Sequence, residues 1–480
     1  MSEIENMYIG NYSNSLIYNL YASEVASNIC KYEQKEYSII SLEGQKKWFS
    51  KKYINHYKYQ EFVVRDKITP YMLIKNTLYA LKLIFVGRTG EALLAFDYKG
   101  INVGEYIYDT LIRRPDKGIW TINRLKVKKH IKNIVYSLCL IDACSKQFKK
   151  DKPAYYLTHH TCYDEGLISD VAAQYGAKVI ECALGHPVRI MQDDKGNYSH
   201  YWHDIIRDKM KELYLTDKKS EDETYDLAMG LLDERYRGDY DKDTVCAYKD
   251  KMVLNKDEFN RMLELDDTKK NVVIMAHCFS DWNHCASNLL FRDYYSWLEE
   301  VLKTAKTINN VNWILKLHPS RRLYGESDEA NKLIEKHNID NVKIFPEEYS
   351  GESLKNIADV IVTVHGTAGI EYSCCGIPCV LAGDAYYKGY GFTIESATKD
   401  EYLDKLTRLD KIQKLNNNQI KKACFIFYYS QMVQYNSKMM SDLEKELLEL
   451  DKDIVMGKLS RVKGEEALLI KYIDGGKNAE

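Results

Sequence analysis

Three of the chain's 12 histidines follow short apolar runs, where an imidazole could bind a phosphate group. His277 closes NVVIMAH, His318 follows NWILKL, and His365 follows DVIVTV. An imidazole N–H can donate a hydrogen bond to a phosphate oxygen. Pro319 fixes the turn after His318, and Arg321 would add positive charge nearby. Because ligands of open α/β sheets bind beyond the carboxyl ends of the strands, this pattern predicts an anion site.

The segment from Asp359 to Gly383 predicts a strand, a glycine turn, a helix and a second strand. Gly366 provides the turn, and Thr367 is placed to cap a helix whose first N–H groups and dipole can hold a phosphate. Glu371 lies one turn into that helix and could accept hydrogen bonds from ribose hydroxyls. The unit therefore predicts a site for a nucleotide-activated donor.

In the first half of the chain, an acidic turn follows the apolar run YYLTHH. Asp164 and Glu165 precede Gly166, so one carboxylate can be directed into a cleft. Such a carboxylate could deprotonate an acceptor hydroxyl as a general base. Direct attack of that hydroxyl on an anomeric carbon would invert its configuration. The same residues also suit an ordinary turn and helix start, so both interpretations stay open.

Three further residues are predicted to line the acceptor side: His160, Asp109 and Arg113. His159 and His160 are adjacent, but no third ligand follows at a metal-binding spacing. The 12 cysteines include no CxxC pair, which argues against a zinc or disulfide framework. We therefore predict no metal site, and we expect no cofactor because the nucleotide-activated donor would be a substrate.

Alternating apolar runs and helical patterns predict an α/β fold with two Rossmann-like domains facing across a cleft and a helical C-terminal segment. The first domain is predicted over residues 1–255, and its polar, tyrosine-rich residues 1–75 are weakly helical and could form a separate extension. The second domain is predicted over 256–415. Helices over 416–480 are expected to pack back on the first domain. The predicted strands are 81–86, 92–98, 155–160, 177–182, 271–277, 312–319, 342–347 and 359–364.

Composition and apolar patterning limit the kinds of molecule that the protein is expected to bind. The formal net charge of -2 gives no electrostatic case for binding nucleic acid. The N-terminal residues lack the basic start and apolar core of a signal peptide, and no run approaches the ~20 apolar residues of a membrane helix. We expect a cytoplasmic protein, with a peripheral seat at the inner membrane left open because lipid-linked acceptors lie there.

These motifs resemble those of known transferases. Asp164-Glu165-Gly166 resembles the acidic-acidic-glycine motif of bacterial sialyltransferases and polysialyltransferases. His318-Pro319 resembles their His-Pro motif, and Thr367 stands where their Ser/Thr motif falls. The stretch from HGT to GIPCVLAGDAYYKGYGF is similar to capsule polysaccharide proteins of the Kdo-transferase type and to a block in CDP-glycerol glycerophosphotransferases. The likeness covers residues 312–392 and is thin over 155–185.

The resemblance implies a GT-B enzyme: an inverting, metal-independent glycosyltransferase of capsule or lipopolysaccharide synthesis. Its donor would be a nucleotide sugar, first of all a CMP-linked acidic sugar such as Kdo or a nonulosonate. Its acceptor would be a glycan or a lipid-linked glycan. By the same likeness, Asp164 or Glu165 is the base, His318 and Thr367 hold the donor phosphate, and Glu371 holds the ribose.

Three alternatives stay open. A CDP-glycerol-type glycerophosphotransferase would use His277 or His318 as a base. A UDP-sugar 2-epimerase-like enzyme would share the two-domain fold and need no acceptor. A catalytically inactive scaffold would keep the fold alone.

Overall fold

The computed structural model describes residues 4–11, 16–44, 50–113, 118–183, 188–193, 195–238 and 242–435. Contacts within the chain divide it into two compact units. The first unit comprises residues 1–111, 123–200 and 434–480, and the second comprises residues 112–122 and 201–433. Most of the predicted C-terminal segment, residues 436–480, lies outside the described residues.

The first unit is built around a six-stranded sheet. Its elements are, in chain order, β1 (Glu5–Asn11), α1 (Leu16–Glu33), β2 (Tyr37–Glu43), α2 (Ser50–Tyr57), β3 (Gln60–Val63), α3 (Pro70–Lys82), α4 (Gly90–Leu94), β4 (Asp97–Tyr98), β5 (Ile101–Asn102), α5 (Val103–Ile112), α6 (Val127–Lys150), β6 (Pro153–Thr158), α7 (Tyr163–Gln174), β7 (Lys178–Glu181) and β8 (Arg189–Ile190). The strand order is β3-β2-β1-β6-β7-β8, and only the β7–β8 pair is antiparallel.

Residues 1–75 supply β1, β2 and β3 of this sheet, with β1 near its centre, rather than a separate helical extension, so that prediction is wrong. β1 pairs in parallel with β2 on one side and with β6 on the other. Met7, Tyr8 and Ile9 in β1 are completely buried. Only these three residues of ENMYIGN are large and apolar, so the strand signal is weak even though its position is central.

The second unit contains another six-stranded sheet, and all of its pairs are parallel. Its elements are α8 (Trp202–Asp217), α9 (Glu221–Tyr236), α10 (Lys242–Tyr248), α11 (Lys256–Leu263), β9 (Lys270–Met275), α12 (Tyr294–Lys306), β10 (Val311–Lys316), α13 (Glu329–Lys336), β11 (Val342–Ile344), α14 (Leu354–Ile357), β12 (Val360–Thr363), α15 (Ala368–Cys374), β13 (Cys379–Leu381), β14 (Thr393–Ile394), α16 (Lys399–Leu406) and α17 (Asn417–Tyr435). The strand order is β11-β10-β9-β12-β13-β14.

Both faces of the second sheet are covered, which explains its continuous apolar strands. Val272 and Ile274 of β9 pack in a core with Trp297 of α12. Val273, between them, packs in the opposite core with Phe427 of α17. The predicted α/β class with two Rossmann-like sheets is confirmed. That the two units face each other across a cleft stays a prediction.

The boundary between the units lies at His200 rather than at residue 255, which corrects the predicted domain limits. Ile206 of α8 and Leu232 of α9 share a core with Phe427 of α17. The many charged residues of α8 and α9 make the apolar positions of these helices hard to recognise in the sequence. α17 likewise packs within the second unit, and only from Gln434 does the chain belong to the first unit, where the Gln434 carbonyl accepts a hydrogen bond from Arg189 at 3.5 Å.

Candidate active site

The three predicted histidines lie together at the carboxyl edge of the second sheet. His277 follows β9 and stacks on His365, which follows β12, with ring centroids 5.4 Å apart. His318 follows β10 and lies close enough for its charge to lower the pKa of His277. Because β10, β9 and β12 are parallel neighbours, their ends meet at one edge. The juxtaposition inferred from the sequence is therefore present.

Their surroundings keep the imidazoles of His277 and His365 uncharged, and both rings pack against neighbouring side chains at this edge of the sheet. His277 Nε2 lies 3.1 Å from Thr363 Oγ1, and its ring stacks on Tyr294 with centroids 4.4 Å apart. The Tyr294 hydroxyl lies 2.7 Å from His365 Nε2. Burial, helped by neighbouring imidazoles, lowers the pKa of His277 to about 3 and that of His365 well below its ordinary range. Groups with such low pKa values are poor bases near neutral pH.

Hydrogen bonds fix the orientation of the His318 imidazole. Its Nδ1 accepts the backbone N–H of Ser320 at 3.2 Å and lies 3.1 Å from the sulfur of Cys278. A ring nitrogen that accepts a backbone N–H carries no proton in the neutral imidazole, so the proton belongs on Nε2. That N–H is the group suited to donate to a phosphate oxygen.

His318 lines a cleft together with His277, Arg321 and Glu326. Glu326 is buried, and its Oε1 accepts the backbone N–H of Phe279 at 2.5 Å. Burial raises the pKa of Glu326 to about 8, so this carboxyl is mostly protonated at neutral pH. Glu326 thus holds the loop after β9 in place. In the sequence it is one acid among several polar residues, and nothing marks it.

Four basic side chains lie near the end of β10 with two carboxylates, Glu347 and Glu348; the basic ones are Lys251, Lys316, Arg321 and Arg322. Arg321 and Arg322 both pair with Glu347. Lys316 and Lys251 have no ion pair with any residue that the structure describes. The cluster therefore has a net positive charge, as an anion site requires.

Lys316 and Arg321 are both buried in this cluster. Lys316 is only 9% exposed, and its Nζ lies 5.4 Å from the centroid of the Phe345 ring. Burial lowers the pKa of Lys316 to about 8, with the charge on Lys251 acting in the same direction and Glu347 opposing it. The buried Nε of Arg321 makes no hydrogen bond within the described residues. Sequence analysis singled out Arg321 but missed Lys316, which stands within the apolar run WILKL.

The glycine turn after β12 differs in part from its prediction. Gly366 packs closely on the His277 ring, since a Cβ there would lie 3.2 Å from His277 Cε1, a tight contact that the ring would have to relieve by a small shift. Thr367 occupies the N-cap position of α15 and is exposed, but its side chain makes no capping hydrogen bond. α15 has seven residues. Its N-terminus alone is therefore a weaker anion site than the sequence suggested, and the basic cluster supplies more charge.

Glu371 is engaged inside the protein. It is buried, and its Oε1 accepts a hydrogen bond from Arg235 Nη2 at 3.0 Å. The hydroxyl of Tyr248 donates to Oε2 at 3.4 Å. This pairing gives Glu371 a positioning role at the start of α15, and the expected ribose contact stays a prediction.

The acidic turn of the first unit lies at the start of α7, directly after the β6 strand. Asp164 Oδ1 accepts a hydrogen bond from the Ser137 hydroxyl at 3.0 Å. Glu165 Oε2 lies 3.7 Å from Nε2 of His159. The His159 ring is itself buried and stacked on Tyr18, with centroids 5.0 Å apart. Both carboxylates are thus oriented by neighbours, as a general base requires.

The backbone of this turn explains its glycine. A Cβ at Gly166 would lie 2.1 Å from the carbonyl oxygen of Thr161 and 2.7 Å from Cε1 of Tyr106, so no other residue fits. Tyr163 has a φ of +56°, in the left-handed region that non-glycine residues rarely adopt. Such backbone is retained where the surrounding structure fixes it, often at functional turns.

The three residues predicted for the acceptor side do not share one unit. His160 is partly buried near Tyr18, and Asp109 is buried in α5, both in the first unit. Arg113 belongs to the second unit, where it pairs with Asp281 at 3.2 Å. Their acceptor role stays a prediction.

Two absences concern the described residues alone. No group of three or more His, Cys, Asp and Glu side chains among them is arranged to hold a metal ion. No helix among them combines the length and the apolar character needed to cross a bilayer. Metal independence stays a prediction.

Residues 241–430 match the sequence model of the capsule polysaccharide biosynthesis protein family. This segment covers less than half of the chain but contains the histidines, Lys316 and Arg321 described above. The match confirms the resemblance to capsule polysaccharide proteins found over residues 312–392. No curated protein sequence matches the chain.

Several solved structures are similar at low identity. The β-Kdo 2,4 transferase KpsC of Thermosulfurimonas dismutans is 13% identical, with 57% of this chain and 79% of that chain covered and a TM-score of 0.34. UDP-GlcNAc 2-epimerase of Neisseria meningitidis is 10% identical over 90% and 98% of the two chains, with a TM-score of 0.27. MurG of Acinetobacter baumannii is 11% identical over 94% and 100%, with a TM-score of 0.26. Likeness of this degree carries no argument about the reaction.

Proposed function

We propose that the protein is a glycosyltransferase of surface polysaccharide synthesis, with a nucleotide sugar as donor and a glycan or lipid-linked glycan as acceptor. The observation that carries the proposal is His318. Its imidazole, with the proton held on Nε2, lines a cleft beside a cluster of excess positive charge. It also lies in the segment that matches capsule polysaccharide biosynthesis proteins.

In the proposed reaction, His318 donates a hydrogen bond to the donor phosphate while Arg321 and Lys316 stabilise the charge that grows on the leaving nucleotide. These fixed protein cations support a transfer step without a metal ion. Asp164 or Glu165 accepts the proton of the acceptor hydroxyl, which attacks the anomeric carbon and inverts it. A CMP-linked acidic sugar such as Kdo or a nonulosonate is the first donor to test. We expect the reaction in the cytoplasm, at the inner membrane when the acceptor is lipid-linked.

The glycerophosphotransferase alternative would need His277 or His318 as its base. The depressed pKa of His277 makes it a weak base, and Nδ1 of His318 is already occupied by the Ser320 N–H. These two observations favour glycosyl transfer over phosphotransfer.

Titration of the protein with CMP, CDP, UDP and GDP tests the donor site. We expect a cytidine nucleotide to bind most tightly and His318→Ala to weaken its binding by ~10–150-fold, because a hydrogen bond to a charged group contributes ~1.5–3 kcal/mol.

We also expect nucleotide affinity to fall as pH rises through 8, since only protonated Lys316 attracts an anion, whereas nucleotide phosphates are fully ionised well below that pH. Lys316→Met should remove this fall.

His337→Ala is the matched control, because His337 lies in the same unit but pairs with Glu299 at 2.8 Å, outside the cleft residues. Unchanged nucleotide affinity in His318→Ala would remove His318 from the donor site. A preference for UDP or GDP would leave a transferase possible but would contradict the CMP donor.

A further inference from the structure

The exposed face of α3 and the turn after it carries an unusual concentration of large apolar side chains. The exposed fractions are 73% for Tyr71, 66% for Ile74, 64% for Leu78, 59% for Phe85 and 73% for Val86. Soluble proteins rarely expose a contiguous apolar surface of this kind unless it binds a partner or a membrane. We call these five residues the α3 stripe.

The α3 stripe is opposite the face by which α3 packs on its own unit. Met72, Asn76 and Ala80 are the buried residues of α3. Asn76 Nδ2 donates a hydrogen bond to Asp142 of α6 at 2.9 Å, which marks α6 as the helix beneath. Tyr71, Ile74 and Leu78 follow at spacings of three and four residues, so they form one stripe on the other side. Burial in the core of the unit therefore does not explain them.

Basic residues border the α3 stripe. The backbone N–H of Leu125 donates to the Arg88 carbonyl at 2.7 Å, so the start of α6 lies directly beside the end of the stripe. Within residues 82–91 and 124–129, the exposed charged side chains are six basic ones and a single acid, Glu91; the basic ones are Lys82, Arg88, Arg124, Lys126, Lys128 and Lys129. This local excess stands out in a chain whose formal net charge is -2.

We propose that the α3 stripe and its basic border form a docking surface for an anionic lipid membrane. An apolar helix face flanked by lysine and arginine lies in the membrane interface, with aromatic and aliphatic side chains among the acyl chains and the basic groups at the lipid phosphates. Tyr71 is of a residue type enriched at that depth, and Phe85 is of a type found on the apolar face of interfacial helices. In a two-fold dimer formed through this surface, the basic border would face the same basic border of the second copy, so the charge pattern favours an anionic lipid surface.

This surface lies in the first unit and is independent of the donor chemistry. If the proposed transferase uses a lipid-linked acceptor, docking would hold the protein where that acceptor is found. Loss of docking should then reduce activity on a lipid-linked acceptor while leaving activity on a water-soluble acceptor unchanged.

Co-sedimentation of the full chain with phosphatidylglycerol-rich and phosphatidylcholine vesicles tests the proposal. We expect binding to the anionic vesicles that weakens as salt is added. Ile74→Ser with Leu78→Ser should lower this binding by ~10-fold or more through lost apolar burial. Lys128→Glu with Lys129→Glu should lower it by a similar factor through lost attraction. Because all four side chains are exposed, the variants are expected to fold.

Leu215→Ser is the matched control, since Leu215 is 67% exposed on α8 of the other unit. No binding of the wild-type chain to anionic vesicles, or equal binding by the stripe variants, would overturn the proposal. Sedimentation velocity without vesicles gives a further test. A concentration-dependent dimer that the stripe variants abolish would assign the surface to a second copy and overturn the membrane assignment.

Discussion

Replacing Asp164 by Asn or Glu165 by Gln is expected to lower the turnover of one variant by ~10²–10⁴-fold, the range for loss of a general base. The amide keeps the shape of each side chain but removes its capacity to accept a proton. Since the turn belongs to the first unit and the nucleotide is proposed to bind the second, nucleotide affinity should stay near the wild-type value in both variants. Initial rates at saturating donor, with parallel nucleotide titrations, measure the two effects separately.

The surroundings of the two carboxylates differ, so the pair of variants identifies the base. Asp164 is held by Ser137, and Glu165 lies beside His159. Asp170→Asn is the control, because Asp170 lies on the same helix, where its carboxylate accepts a hydrogen bond from Tyr106 at 3.3 Å. Full turnover in both the Asp164 and Glu165 variants would place the base elsewhere.

Arg235→Met is expected to reduce the free energy of unfolding by about 3–5 kcal/mol, the usual effect of removing one partner of a buried ion pair. Arg235 and Glu371 are both buried, so the variant leaves the Glu371 carboxylate without its cation. The double variant Arg235→Met, Glu371→Gln should recover part of the loss because neither charge remains. Equilibrium denaturation in urea measures the free energy of unfolding of the wild type, the single variant and the double variant.

Lys422→Met supplies the comparison with a surface pair. Lys422 lies 3.4 Å from Glu221 in solvent, so its loss should change stability by less than about 1 kcal/mol. An Arg235→Met variant as stable as Lys422→Met would show that the buried pair does not hold the second unit together.

If Glu371 also holds a ribose, Glu371→Gln should lose any preference for CMP over 2′-deoxy-CMP. Equal preference in both proteins would leave Glu371 with its positioning role alone.

The second sheet could be predicted well because its strands are covered on both faces. Such strands appear as continuous β-branched runs, and DVIVTV is one of them. Once the strands are placed, the rule that ligands bind at their carboxyl ends brings His277, His318 and His365 together. The same reasoning does not reveal that His365 is buried against Tyr294, or that the partly buried His277 lies against Thr363, since that depends on packing between distant segments.

In the first unit, an apolar run led to a wrong prediction of secondary structure. LKLIFV was predicted to be a strand, but residues 81–82 end α3 and Leu83–Gly87 form a π-helical turn. Thr69 caps α3 by accepting the Met72 N–H at 3.3 Å, and Pro70 stands at its first position. These start signals are present in the sequence and outweigh a run of five apolar residues that one lysine interrupts. The exposure of Phe85 and Val86 could not be read from the run itself.

The site residues that sequence analysis missed depend on partners far along the chain. Arg235 pairs with Glu371 at a separation of 136 residues. The lowered pKa of Lys316 depends on its burial and on the positive charges of Lys251 and Arg321 near it. Only the folded second unit shows which basic residues lack a carboxylate and can serve an incoming anion.

The product formed from a CMP-linked acidic sugar tests the central claim most directly. The protein is incubated with the donor, a glycan acceptor and EDTA, and the products are identified by NMR spectroscopy and mass spectrometry. We expect free CMP and a glycoside whose anomeric configuration is opposite to that of the donor, formed only when acceptor is present. A phosphodiester product, a product with retained configuration, or turnover that needs no acceptor would contradict an inverting glycosyltransferase. Complete loss of transfer in EDTA with recovery on adding a divalent ion would contradict its metal independence.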